Sequence, residues 1–546
     1  MARDDGTSAD PKVDEARSLL DQEITQLKQS IHHLSVRRNI LAPVSRLPVE
    51  MLTEIFLQSA DDESDPIRKY WRGVALQTAQ LWTRIEVKNE AWVQRLLNLS
   101  KNLPVTACFD ARFGFTPDNY QGGLLLAEHP GRLRGIRIIV AAPYETILCD
   151  LLKQIPAPAL ESIVWEDTHR SESQDPNSIA SNLFKGNTPS LKRIDLHHCG
   201  WQWNCMLFRN SVTRLVLDRS FTPCNPSLLQ LASALVRMPM LEYLELEDIQ
   251  ATPHHSAFPN PIPELCLSRL KFVRIIASTA SCVSILSVLS VIHPEAQIEL
   301  DCTLEDDYDT THVWRLGYEI RGLCRRSTTT DEGTQYRSLM MLEQPDPDEL
   351  CLYLYAWTAS LATEVLPVSR SQCSLQICLR PGYMPFTYKA ALIEDILSGE
   401  FPFENVESLH LAPPLTEPRL GMYNWAAIML NTCQRLKELW LVGELTGCVL
   451  GALADLCELN GTEDGEFVLC PLPLQTLQLV TLEDVDFARS GQGEESARVQ
   501  LFRMLVQHRT WGQGDVQVRL CLCHNVDIIG QEIQVWRNIT VSDEIS

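Results

Sequence analysis

The sequence predicts an α/β chain in which short parallel strands and helices alternate as a stack of repeats, entered through a small all-α unit and an amphipathic helix. Three observations predict it. A pattern of apolar, two residues, apolar, one residue, apolar recurs from about residue 130. Helical patterns fall between its copies, and a heptad-spaced run followed by two short amphipathic runs precedes them.

At 546 residues the chain is longer than a single hydrophobic core can grow, so several structural units are expected. Its 45% hydrophobic content is ordinary for a globular protein and supplies a sizeable core. The net charge of −23 argues against a nucleic-acid reader, which needs clustered Lys and Arg, and equally against an anionic membrane surface. Met1–Asp10 carries acids rather than the basic and apolar regions of a signal peptide. The longest apolar-looking stretch, Cys282–Ile292, is too short to span a bilayer. The expected compartment is the cytoplasm or nucleus. The 18 cysteines contain no C-x-x-C, and the closest pair, Cys521 and Cys523 beside His524, lacks the second cluster a zinc site needs. Cys266, Cys282, Cys378 and Cys457 sit among aliphatics, where a thiol behaves as a small hydrophobe. Neither metal nor cofactor is expected.

Residues 1–12 form a polar tail of disordered composition. In 13–42, Leu20, Ile24, Leu27, Ile31 and Leu34 alternate at intervals of four and three, the a/d seam of a heptad helix, and Pro43 stops it. Two readings stay open: a helix packed on its own protein, or a coiled coil through which the chain self-associates. Residues 43–86 contain Ser45–Leu57, SRLPVEMLTEIFL, in which Pro48 suits a first helical turn and Leu52, Ile55 and Phe56 line one face. Ile67, Tyr70, Trp71, Val74 and Ala75 form a second amphipathic run, which Leu81-Trp82 closes. So small a helical unit holds too few apolar residues to be stable alone, and must dock.

The stretches RLPVEMLTEIF (Arg46–Phe56) and YWRGVALQTAQLW (Tyr70–Trp82) resemble the F-box family, in the form abundant in mushroom-forming fungi. The resemblance covers about residues 14–85. It implies binding of a Skp-type adaptor and, through it, of a cullin scaffold. Leu47 and Pro48 would insert into the adaptor; Ile55, Phe56 and Trp71, with Leu52 and Val74 beside them, would form the helical contact and its core; Leu81 and Trp82 would anchor the end. The chain departs from the family where a longer, leucine-rich middle helix is expected: Asp61–Pro66 reads DDESDP, and Lys69-Tyr70 replaces a Val-Cys. That departure leaves a second reading open, a ligase-independent scaffold whose adaptor contact has degenerated.

After a connector at 87–130, the recurring triplets are Leu133/Ile136/Ile138, Leu160/Ile163/Trp165, Leu191/Ile194/Leu196, Val212/Leu215/Leu217, Leu241/Leu244/Leu246 and Leu270/Val273/Ile275. Their starts lie 27, 31, 21, 29 and 29 residues apart. The pattern returns at Val406/Leu409/Leu411, Leu436/Leu439/Leu441 and Leu474/Leu477/Leu479. Spacing and pattern resemble leucine-rich repeats, whose core triplet is a short strand. Helical patterns at Ser227–Arg237, Ser281–Ile292, Tyr388–Leu397, Trp425–Asn431 and Glu494–His508 complete the units. One strand and one helix cannot bury their apolar faces alone, whereas stacked neighbours share a core. Only the unit at Leu191 reaches the Asn or Cys of the regular repeat, at Cys199, so an irregular solenoid is expected over 131–300 and 351–546. A doubly wound α/β domain would show the same alternation. Polar stretches interrupt the repeats at Thr168–Thr188, Gln250–Pro263 and about Thr303–Glu349; the last defines an acidic insertion at 301–350.

No phosphate-binding, nucleophile-elbow or H-E-x-x-H motif occurs, and the pairs His32-His33, His197-His198 and His254-His255 lack a partnered nucleophile or metal spacing. The expectation is a protein without catalysis that holds an unidentified target protein on its repeats. Trp165, Trp201, Trp203 and Trp440 are candidate target contacts, with core burial equally open for Trp165 and Trp440.

Overall fold

A computed structural model of the chain describes residues 20, 23–24, 26–28, 30–31, 75–168, 183–199, 201, 203–218, 227–250, 265–304, 311–327, 335–346, 349–359, 373–380, 396, 401–412, 432–433, 435–443, 446, 449–450, 476–485, 487, 516–524 and 539–542. Two compact units are distinguished: Met1–Ile85 with Gln94–Val105, and Glu86–Val93 with Thr106–Ser546.

In the first unit the described residues between 20 and 31 are helical and exposed. A short 3₁₀ turn follows at Ala79–Trp82, where the Trp82 indole N–H donates to the Ala75 carbonyl at 2.7 Å. Leu96 and Leu97 are buried, and the Ser100 hydroxyl donates to their carbonyls at 2.8 and 3.1 Å, satisfying acceptors that a helix end leaves open.

Nearly all strands of a 17-stranded sheet lie in the second unit. Its first run comprises β1 (Leu133–Val140), β2 (Ser162–Asp167), β3 (Arg193–His197), β4 (Arg214–Asp218), β5 (Tyr243–Glu247), β6 (Phe272–Ser278) and β7 (Gln297–Thr303). They pair in chain order, all parallel and without a register shift. One apolar row therefore runs Ile136, Ile163, Ile194, Leu215, Leu244, Val273, Ile298, and the next Ile138, Trp165, Leu196, Leu217, Leu246, Ile275, Leu300, all buried. Each such side chain contributes about 1.5–3 kcal/mol when fully buried, so the rows hold the strands in register. The architecture is α/β with a large, mostly parallel sheet, compatible with a stack of repeats.

Helices fill the connections. α1 (Pro117–Leu125) starts where Thr116 and Asn119 form a capping box and Pro117 takes the first turn, and α2 (Ala142–Gln154) also opens with a proline. α3 (Leu228–Val236) is capped reciprocally by Ser227 and Gln230. α4 (Thr279–Val288) buries Cys282, Ile285 and Leu286. The expected helix at Ser281–Ile292 thus stops early: Leu289–Ile292, rich in β-branched and aliphatic residues, is a short strand pairing with Leu265–Leu267.

Three expectations are corrected. The connector at 87–130 contains a helix at Glu90–Leu99, a strand at Val105–Ala111 of alternating burial, and α1. The acidic insertion at 301–350 contains α5 (Thr311–Arg326), which buries Val313, Leu316, Ile320 and Leu323, and the strand β8 (Ser338–Asp346). Acidic clusters at its two ends set its composition, while the three- and four-residue spacing of those four aliphatics sets its structure. The third late triplet is shifted by three residues. Leu477, just ahead of β13 (Leu479–Glu483), is buried with Val480 and Leu482 of that strand: this run of alternating aliphatics satisfies the motif in two registers and only the second matches its neighbours.

The middle of the sheet reverses chain order. β8 turns back into β9 (Glu349–Trp357), which is antiparallel to β8 and to β10 (Leu375–Arg380). β10 then lies parallel to β7, and β8 parallel to β11 (Ser408–Leu411). Chain order resumes through β12 (Glu438–Val442), β13, β14 (Gln517–Cys521) and β15 (Ile539–Ser542), all parallel. The late apolar rows are Leu339, Leu409, Leu439, Val480, Val518 and Met341, Leu411, Leu441, Leu482, Leu520. The helical patterns at Tyr388–Leu397, Trp425–Asn431 and Glu494–His508 lie, apart from the helical Ile396, outside the described residues.

Candidate functional site on the polar face of the sheet

Side chains alternate across a strand, so the residues between the buried rows line the opposite face. On the first run that face is charged. Arg193 of β3 is ion-paired with Asp195, and Arg214 of β4 approaches the same carboxylate with its Nε at 3.4 Å. Asp195 is thereby buried between two guanidinium groups. The Arg214 guanidinium also lies 3.7 Å from the ring centroid of Tyr243, which stacks on Phe272 at 4.5 Å and 10°. Such a cation–π stack is worth about 0.5–2 kcal/mol according to its exposure. The Tyr243 hydroxyl donates to Glu245 at 2.7 Å, and burial with that bond raises the phenol's pKa. Arg274 of β6 then pairs with Glu245 at 3.1 Å and Glu299 at 3.8 Å. Beyond it Arg380 grips Asp301 with two bonds of 2.7 and 2.8 Å, a fork geometry that fixes β10 against β7.

Further titratable groups lie at the C-terminal ends of β3, β4 and β5. His197 and His198 approach the buried Asp218 at 3.8 and 3.3 Å. The Asp218 carboxylate beside it raises the pKa of His197. Glu247 is raised above the usual carboxylate range by burial and then by Asp218. Glu299 is raised by burial, against the pull of Arg274.

From the reversed strands onward the same face turns aromatic. Tyr353, Tyr355 and Trp357 of β9 stack in succession at 6.1 and 6.2 Å, around a buried cluster with Leu342 and Cys373. His410 follows beside Met340, and its ring lies 5.2 Å from Trp440, whose indole donates to Glu483 at 2.8 Å. The face thus carries a mixed-charge belt, and beyond it aromatic rings that are largely buried.

The sequence-derived contacts fare unequally. Trp165, Trp201, Trp203 and Trp440 are buried, at 1, 2, 9 and 8% exposure. Trp165 belongs to an apolar row, and Trp201 packs edge-on against Trp203 at 5.9 Å, so these three rings serve the interior, while Trp440 stays on the polar face beside His410. Of the adaptor-binding set, Leu81 and Trp82 are half-buried in the 3₁₀ turn. Leu47, Pro48, Leu52, Ile55, Phe56, Trp71 and Val74 lie outside the described residues. The polar-face residues were missed because they occupy the variable positions of the repeat; an alternation reading of each triplet's intervening residues finds them.

No protein-family model matches the chain, and no curated protein matches it. The functional reading therefore rests on the chain's own residues. Among those described, no cluster of three or more His, Cys, Asp and Glu could hold a metal ion, and no helix is long and apolar enough to cross a membrane.

Proposed function

We propose that this chain is a substrate-recognition subunit of an SCF-type cullin–RING ubiquitin ligase, without catalysis of its own. The observation that carries the reading is the adaptor-binding pattern of Arg46–Phe56 and Tyr70–Trp82 placed ahead of an in-register stack of parallel strands. Leu47, Pro48, Leu52, Ile55, Phe56, Trp71 and Val74, closed by Leu81 and Trp82, hold the Skp-type adaptor. The strands and helices form an irregular leucine-rich-repeat solenoid, and its polar face holds the target. The belt running from Arg193 through Arg274 to Arg380 supports this role, since arginine and tyrosine are enriched where proteins bind one another. Function then follows from proximity: a target held beside a ubiquitin-charged enzyme meets it at high effective concentration.

The shortened middle segment, Asp61–Pro66, favours a second reading, a ligase-independent interaction scaffold. Co-expression with a Skp-type adaptor and affinity capture separates the two. Capture by the wild-type chain, lost in the Leu47→Ala, Pro48→Ala double variant, supports the ligase reading; no capture by the wild type supports the scaffold.

A further inference from the structure

The helical residues nearest the N-terminus carry an apolar seam that no other part of the described chain covers. Leu20, Ile24, Leu27 and Ile31 are exposed by 58, 46, 57 and 63%. Glu23, Gln26, Lys28 and Ser30 around them are exposed as well. A single helix of this kind is marginal in water, and large aliphatics left on its surface forgo their burial energy.

The identities along the seam say what covers it. Counting from Leu20 at intervals of four and three, leucine occupies each d position (20, 27 and 34) and isoleucine each a position between them (24 and 31). A β-branched residue at a with leucine at d is the combination that favours two parallel strands. The same register puts Glu23 at g and Lys28 at the following e. In a parallel pair each g residue faces the next e residue of the other strand, so twofold symmetry sets two Glu–Lys attractions across the seam. In an antiparallel pair g faces g and e faces e, and this attraction is not formed. Arg17 and Arg38 take the a positions outside the apolar layers, which confines the seam to Leu20–Leu34.

We propose that the seam is covered by a second copy of this chain, in a parallel, in-register, two-stranded coiled coil within residues 13–42 that pairs Glu23 of each copy with Lys28 of the other. The proposal is independent of the ligase reading. It gives one assembly two target-binding faces, with the gain in avidity that linkage brings.

Sedimentation of the full chain over a range of roughly 1–100 μM tests it. The wild type is expected to pass from monomer to dimer. The Ile24→Asp, Ile31→Asp double variant should stay monomeric with an unchanged melting profile of the rest of the chain, since both side chains are exposed in the single copy. Glu23→Lys and Lys28→Glu should each weaken the dimer roughly tenfold, and their combination should restore it. A wild type that stays monomeric throughout overturns the proposal, as does a dimer indifferent to both aspartates. A dimer that resists the single charge reversals overturns its parallel register.

Discussion

His410 offers the sharpest physical test of the late half of the sheet. It sits on β11 between Met340 and Trp440, and neither ring nitrogen has a hydrogen-bond partner among the described residues. Burial pushes its pKa down from 6.5 to about 4. The folded chain therefore keeps the imidazole neutral at pH values where the unfolded chain binds a proton. Because the folded value is the lower one, the stabilising contribution is complete above about 6.5 and shrinks as pH falls toward 4. At about 1.36 kcal/mol per pH unit, that interval amounts to at most about 3 kcal/mol. His410→Phe keeps a ring of similar size and removes the titration. Urea unfolding at pH 7 and pH 4 should show the wild type losing up to about 3 kcal/mol more than the variant. Hydrogen–deuterium exchange at the imidazole C2 position, read by mass spectrometry, gives the midpoint directly. A midpoint at or above 6.5, or identical pH dependence in the two chains, would refute the burial argument.

His197 should behave in the opposite sense: the Asp218 carboxylate beside it raises its pKa, so its contribution is complete below about 6.5 and is lost as pH rises through the higher folded value. The same exchange experiment should place its midpoint above 6.5, and Asp218→Asn should lower it. In α5, a Cβ at Gly317 would meet the Phe401 ring at 2.6 Å and its backbone nitrogen at 3.0 Å. Gly317→Val is therefore expected to cost about 1–3 kcal/mol in denaturant unfolding, whereas Gly131→Ala, with nothing within 4 Å, should stay within about 0.5 kcal/mol.

The strand stack was legible in the sequence because its signal is local and repeated. From Leu160 to Leu270 every predicted triplet begins just before a strand and supplies its two inward positions, and the triplet at Leu133 begins on the first residue of its strand. Where aliphatics crowd, as from Leu472 to Leu482, the motif fits twice and only pairing with Leu439 and Leu441 chooses. The antiparallel β9 was not legible, since its reversal is fixed by partners distant in sequence. Composition also misled at 301–350, where acidic ends concealed the amphipathic α5. The tryptophans misled for a different reason: large aromatic rings fit a protein interior as well as an interface, and position in the alternation decides which. Arg214, Tyr243 and Phe272 are adjacent only through strand pairing, so their cation–π stack has no signature within a single strand.

A titration of the purified chain with purified Skp-type adaptor bears most directly on the central claim. Saturable one-to-one binding per copy of the chain is expected. That binding should disappear in the Leu47→Ala, Pro48→Ala variant and persist when Arg193 and Arg274 on the polar face are replaced by glutamate. No saturable binding by the wild type, or binding indifferent to the first variant and lost in the second, contradicts it.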